Sequence, residues 1–358
     1  MLTSIATPLL KWYQTHQRPL AWRLKKPNPW HILIVEIMGQ QTQIATLTPY
    51  FNYFVKRWPT PLHMAQSNLD EILSAWSGLG YYQRARNLFN CAKMIVHDFD
   101  QHVPHSFEDL LTLPGIGPYS AGAIATIAFN QPNIAIDGNV SRVITRFLAI
   151  KKPLPKAQKE IESFMKQLLA ETLSKHFKSG DLTQALMELG ALICKPKNPN
   201  CPHCPLAHLC IGKENPHFFP VKPLKKQRIQ QYTNALIAIK NNKIALIRRP
   251  EKGILASMWA FPDQGWKEKP TRFSYQTLTG YKIQHDQNLP KKLKPKIHHI
   301  FTHVELHVSV YFIDVRGYPY PGEWQWFSLP IESHYPIPRL THKIINLLYM
   351  HIPHMIHK

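Results

Sequence analysis

The hydrophobic period of the chain changes once, near residue 212, and that change restricts the fold to two parts built on different principles. Before it, the stretches Pro29 to Tyr53, Leu69 to Phe99 and Ser120 to Phe129 carry apolar residues three and four apart, or in runs too long for strands. This is the pattern of helices that bury one face or are buried all round. Beyond it the period is two: TNALIAIK and KIALIRR flank Asn241-Asn242, a hairpin signal, and FTHVELHVSVYFIDV alternates over a long stretch. A terminal helix is expected near Thr341 to Met350. Residues 213–231 hold three prolines and five Lys/Arg, a composition suited to an extended connector. A length of 358 residues also exceeds what one hydrophobic core usually organises. The expected division is a helical domain over 1–212, a linker over 213–231 and a strand-rich mixed domain over 232–350.

The chain carries a net charge of +21 with histidines neutral, spread over both parts, which points to a polyanion such as nucleic acid. No apolar run approaches the roughly 20 residues that cross a bilayer, and the first residues lack the pattern of a secretory signal. A cytoplasmic protein with no membrane partner is expected. Five cysteines without a secretion signal suit thiols kept reduced and used as ligands. Four of them, Cys194, Cys201, Cys204 and Cys210, are spaced C-x6-C-x2-C-x5-C, compact enough for one loop to wrap a single centre. Zinc sites more often use two short knuckles, and only one is present here. The spacing favours a [4Fe-4S] cluster over zinc. Cys91, alone on an apolar helix, reads as a small core residue.

Two carboxylates stand out. Glu36 lies in HILIVEIM, where an unpaired carboxylate should be pushed toward its neutral form by burial, unless an arginine pairs with it. Asp137, in DGN before VSRVITRFL, sits where a helix N-terminus would hold an anion through its N–H groups and dipole. A neutral acid and an anion in one cleft are what cleavage of a glycosidic bond needs, although each residue also has an ordinary structural explanation. LPGIGPYSAG, with Gly115 and Gly117, joins two helical stretches through a turn whose N–H groups can approach a phosphate; a plain interhelix turn would look the same. Gln40 and Gln41, read as continuing the Glu36 helix, offer amides for base edges. Tyr81 and Tyr82 beside Arg84 and Arg86 suit stacking and phosphate contact, or simple burial.

Taken together, VEIMGQQTQIATLTPYF, GLGYYQRARNL, LPGIGPYSAGAI, IDGNVSRV and the cysteine spacing make the chain resemble the MutY-type adenine DNA glycosylases of the helix-hairpin-helix superfamily over nearly its whole length. The resemblance implies a multidomain fold. An all-α glycosylase domain would comprise a six-helix barrel over about 20–130 and a cluster module formed by the N-terminal helix with 131–212. A Nudix-like α/β domain would follow and recognise 8-oxoguanine. It implies a monomer acting on duplex DNA that contains adenine opposite 8-oxoguanine or guanine. It further implies that Glu36 protonates adenine N7, that Asp137 stabilises the oxocarbenium carbon, and that Tyr119 and Asn139 assist them. Arg18, Arg23 and Gln184 align less closely with adenine-pocket residues. Gln41 and Tyr81 match side chains inserted around the oxidised guanine, and Phe301, Thr302 and His303 match a Phe-Ser-His recognition loop, with Thr in place of Ser.

Three departures and alternatives bear on this reading. Endonuclease III-type relatives carry a lysine at the position of Tyr119; a phenol cannot form a Schiff base, so a monofunctional hydrolase leaving an abasic site is expected. The second domain lacks the acidic series of nucleotide-hydrolysing Nudix enzymes, because KEKPTRFSY follows MWAFPDQGW. Gly39 stands where a bulky apolar residue is usual and should weaken a helix interior by about 1 kcal/mol relative to Ala. An endonuclease III-like lyase for oxidised pyrimidines and a noncatalytic cluster-bearing DNA-binding protein remain the alternatives.

Overall fold

The computed structural model describes residues 5–221, 227–282, 289–332 and 335–352. The chain forms two compact units: residues 1–67 with 84–224, and residues 68–83 with 225–358. Among the described residues eleven α-helices precede the first strand: α1 (Ala6–His16), α2 (Pro29–Gly39), α3 (Ile44–Arg57), α4 (Pro61–Ala65), α5 (Leu69–Ala75), α6 (Gln83–Asp98), α7 (Phe107–Thr112), α8 (Pro118–Phe129), α9 (Gly138–Phe147), α10 (Gln158–Ser174) and α11 (Ser179–Leu192). Of these, α5 falls in the second unit, a segment that its helical period had assigned to the first.

In the first unit α2 runs through apolar surroundings. Asn28 caps it by accepting from the Trp30 and His31 amides, Pro29 supplies a preset first turn, and Ile32, Leu33, Ile34, Val35, Ile37 and Met38 are all buried. Burying each such side chain contributes roughly 1.5–3 kcal/mol, which fixes α2 against α3 and α8. A separate core joins α1 to α9, α10 and α11 through Leu9, Leu10, Ile144, Met165 and Leu186, so the N-terminal helix closes on elements more than a hundred residues downstream.

The region read as a linker is more ordered than its composition implied. Residues Ile211–Glu214 and Pro216–Phe218 form 3-10 turns, and the first strand already begins at Ile229. Pro216 opens the second of these turns, its preset φ suiting a first helical position. Residues 222–226 of that segment lie outside the described residues.

Among its described residues the second unit holds a seven-stranded mixed sheet of β1 (Ile229–Lys240), β2 (Lys243–Arg248), β3 (Trp259–Ala260), β4 (Lys291–Lys292), β5 (Ile297–Ile300), β6 (Val304–Asp314) and β7 (Gln325–Ser328). The order is β3-β2-β1-β6-β4, with β5 also on β6 and β7 also on β2. β1 lies parallel to β6 and buried along most of its length, as central parallel pairs are. Asn241 and Asn242 make the two-residue turn to β2, both with positive φ, as that tight hairpin requires. Helix α12 (Tyr275–Thr279) and an aromatic group cover one face; α13 (Arg339–His351) covers the other. Phe301, Thr302 and His303 were expected to open the alternating strand; they instead form the turn between β5 and β6. No helix among the described residues is long and apolar enough to cross a membrane.

Candidate active site and cysteine loop

The Glu36 carboxyl is pushed up to about 7, chiefly by burial and further by the charge of Asp137, against the hydrogen bond from the Tyr119 hydroxyl. Among the described residues no arginine forms an ion pair with it. Its partner Tyr119, in the first turn of α8, is raised well above the ordinary phenol range by burial and by both carboxylates. Glu36, Tyr119 and Asp137 therefore share one electrostatic environment. Near neutral pH it contains a carboxyl that can still carry a proton and a phenol that cannot lose one.

Asp137 is the N-cap of α9. It accepts from the Val140 amide at 2.7 Å and from Asn139 Nδ2 at 2.8 Å, so both carboxylate oxygens are oriented by its own helix. Asn139 is held in turn by Arg142 Nη2 at 2.8 Å. Arg142 was not singled out by sequence reasoning, yet it also donates to the Cys194 carbonyl at 2.8 Å and the Gly190 carbonyl at 2.7 Å. One turn later, Arg146 donates to the Lys195 carbonyl at 2.7 Å and to Cys194 Sγ at 3.3 Å. A single helix thus carries the capping carboxylate at one end and two buried arginines that fasten the cysteine loop. The spacing of arginines four apart in VSRVITRF was the available signal.

Cys194, Cys201, Cys204 and Cys210 line one small cavity with Arg146, and no disulfide joins them. Arg146 ties into this group twice, its Nη1 donating to Cys194 Sγ and its carbonyl accepting from Cys210 Sγ at 3.6 Å. Four thiols converging on one void, with a buried guanidinium beside one of the sulfurs, fit a thiolate-bound metal centre. Cys91, by contrast, is fully buried on α6 and donates to the Pro114 carbonyl.

The turn between α7 and α8 is shaped by Gly115, whose φ is +76°; a Cβ there would lie 2.1 Å from Asn87 Nδ2. Only glycine meets both constraints. At Gly117 a Cβ would meet nothing within 4 Å, so that glycine leaves open space at the N-terminus of α8. Gln40 reaches toward this turn, its amide 3.4 Å from Ser120 Oγ and 3.5 Å from the Gly115 carbonyl.

Helix α2 ends at Gly39, so Gln40 and Gln41 do not continue it; Gln40 is its C-cap and Gln41 has a φ of +59°. Because Gly39 is terminal and a Cβ there would touch nothing, the helix-interior penalty does not apply. Arg84 and Arg86 are buried rather than phosphate-facing. Arg84 donates to the Met38 and Gln40 carbonyls and to Thr42 Oγ1, closing the end of α2. Of the tyrosine pair, Tyr82 is buried and Tyr81 exposed. Within the second unit, the Tyr81 hydroxyl lies 2.6 Å from Thr302 Oγ1.

Arg18, Arg23 and Gln184 are brought together, around a residue the sequence reading missed. Glu188 on α11 accepts from Arg18 Nη2 at 2.8 Å and Arg23 Nη2 at 3.0 Å, and Arg23 Nε donates to Gln184 Oε1 at 3.0 Å. Burial raises Glu188, but hydrogen bonds and charge from the two arginines outweigh it and leave the carboxyl below its ordinary value. A glutamate in the apolar run LTQALMELGALI was the missed signal. The guanidinium groups are engaged with this carboxylate rather than standing free.

Residues 34–171 match the family described as HhH-GPD superfamily base excision DNA repair protein, and residues 234–347 match the NUDIX domain. A solved thermostable thymine-DNA glycosylase shares the fold of 58% of this chain and 94% of its own, with a TM-score of 0.53 and 26% identity. The class is thus a helix-hairpin-helix base excision repair protein with an appended Nudix-like domain. The adenine DNA glycosylase of Buchnera aphidicola from Schizaphis graminum is 32% identical over 95% of this chain and 97% of its own. The rat and human adenine DNA glycosylases are 32% and 30% identical, each over 88% of this chain and over 71% and 68% of their own. The chain belongs to the adenine DNA glycosylase family.

Proposed function

We propose that the protein removes adenine mispaired with 8-oxoguanine or guanine in duplex DNA, hydrolysing the N-glycosidic bond and leaving an abasic site without cutting the strand. The observation that carries this reading is the half-buried Glu36, its carboxyl raised to about 7 by desolvation beside the Tyr119 hydroxyl and the charge of the α9-capping Asp137.

Glu36, its carboxyl raised to about 7, delivers a proton to N7 of a flipped adenine. The bond from the sugar to the base then breaks with its electron pair leaving on the purine. Asp137, oriented by Asn139, faces the resulting oxocarbenium carbon until water adds. Tyr119 orients Glu36 and offers no amine for a Schiff base, which is why the product strand stays intact. Gly115, Gly117 and the N-terminus of α8 suit a phosphate. Gln40, Gln41 and Tyr81 suit the gap opened in the duplex. Phe301, Thr302 and His303 are assigned to the oxidised guanine.

Cys194, Cys201, Cys204 and Cys210 are assigned to a [4Fe-4S] cluster, which when bound supplies a fixed, charged structural centre for the loop. Visible absorption from anaerobically purified protein separates it from zinc. The functional reading is tested by incubating the protein with duplexes containing adenine opposite 8-oxoguanine, adenine opposite guanine, or an oxidised pyrimidine. Free adenine with strand cleavage only after alkali is expected. Nicking before alkali, release of a pyrimidine lesion, or no base release would each overturn it.

A further inference from the structure

The hairpin formed by β5 and β6 carries a second cluster of metal-ligating groups. His298 on β5 stands directly opposite His307 on β6, and Glu305 lies two residues before His307 on the same face. Their ligand atoms all fall within 4.8 Å of one another. Glu305 Oε1 is 2.8 Å from His298 Nε2 and 3.8 Å from His307 Nε2. On the opposite face Val304, Leu306 and Val308 are in the core, so the strand alternation holds the three polar groups together outside it.

An ordinary ion pair accounts for the contact between His298 and Glu305 but not for His307. Its Nε2 is shielded from solvent and has no hydrogen-bond partner, a state that normally calls for an explanation. The ring is also fixed, stacked between Tyr232 of β1 and His298 with centroid distances of 5.0 Å on each side. Two imidazoles and one carboxylate form a borderline donor set that suits zinc or a similar divalent transition ion, unlike the all-sulfur set of the cysteine loop. Ligands 2.0–2.2 Å from a tetrahedral ion are about 3.3 Å apart, within reach of small side-chain rotations from the distances seen.

We propose that His298, Glu305 and His307 form a zinc site that staples the β5–β6 hairpin, with a water completing the coordination. The site is separate from the acidic series that other Nudix domains use, which this chain lacks. Because the turn between the two strands is Phe301 to His303, the ion would restrain that turn directly. The proposal concerns metal binding alone and does not depend on what the turn recognises.

The test uses the full chain with its cysteine loop loaded, stripped of loose metal and titrated with zinc chloride. Expected are one further zinc per chain, an X-ray absorption spectrum showing nitrogen and oxygen ligands with imidazole scattering, and slower amide exchange across 297–308 on zinc addition. His298→Gln, on the exposed edge strand, should weaken binding by about tenfold or more and abolish the exchange effect, and His307→Gln and Glu305→Gln should do the same. Absence of saturable binding, a shell dominated by sulfur, or unchanged affinity in a folded His298→Gln variant would overturn the proposal.

Discussion

Glu36 on α2 and Glu188 on α11 are both glutamates set into apolar helices of the same unit, and their surroundings treat them in opposite ways. Glu188 meets two arginines, which hold its carboxyl below the ordinary range despite burial. Glu36 meets a phenol and a second carboxylate, and burial carries it up to about 7. A buried acid given cations is committed to its anion and serves to join α11 to the segment around Arg18 and Arg23. One denied cations keeps a proton available near neutral pH. The difference lies in what each environment omits.

The contrast breaks most visibly on activity. Replacing Glu36 with Gln should lower single-turnover adenine release by about 10²–10⁴-fold, the range of a lost general acid, while filter binding to the mispaired duplex is retained. Asp137→Asn should fall in the same range. Near-normal turnover in either variant would remove that residue from its role. Glu188→Gln should leave the chemistry largely intact but reduce stability by about 3 kcal/mol, because two arginines lose a buried partner; a melt at pH 7 checks this.

The pH dependence of stability sharpens the comparison, since the two groups have opposite signs. Glu188 has a lowered pKa in the fold, so its contribution is present above the ordinary carboxylate range and lost as pH falls through the lowered value. The deficit of Glu188→Gln should therefore shrink in acid. Glu36 has a raised pKa, from 4.5 to about 7, so its contribution is full below 4.5 and lost as pH rises through 7. That shift corresponds to about 3 kcal/mol as an upper bound. Glu36→Gln should accordingly melt higher than the parent above pH 7, and equal melting at pH 8 would count against burial as the cause. The smallest effect is expected from Tyr119→Phe. Its hydroxyl lowers the Glu36 value, so its removal should move the alkaline limb of the rate profile upward with limited loss of rate.

Much of this was legible in the sequence because burial and helix ends leave local signatures. Glu36 shows as an acid inside HILIVEIM, Asp137 as a helix start before an amphipathic run, and the Asn241-Asn242 hairpin as a turn dipeptide between alternating segments. What escaped was mostly nonlocal. Glu188 takes its partners from 170 residues earlier, and Arg142 reaches the Cys194 carbonyl 52 residues on; no periodicity reports such distances. The end of α2 was misplaced for another reason. Gln40 and Gln41 have no strong breaking tendency, and the stop is imposed by the positive φ of Gln41 and by Arg84 drawing the last carbonyls onto its guanidinium. Arg84 and Arg86 looked like phosphate ligands because charge suggests exposure, whereas long side chains that satisfy buried carbonyls are indistinguishable in sequence from those facing DNA.

The protonation state of Glu36 is the point on which the account turns. It is measured most directly by following the ¹³C carboxyl resonances of glutamate-labelled protein with pH, the Glu36 signal being assigned by its loss in Glu36→Gln. A midpoint near 7, well above the other glutamates, is the predicted result. A midpoint in the ordinary range near 4.5 would leave no proton on Glu36 for the departing base and would contradict the mechanism.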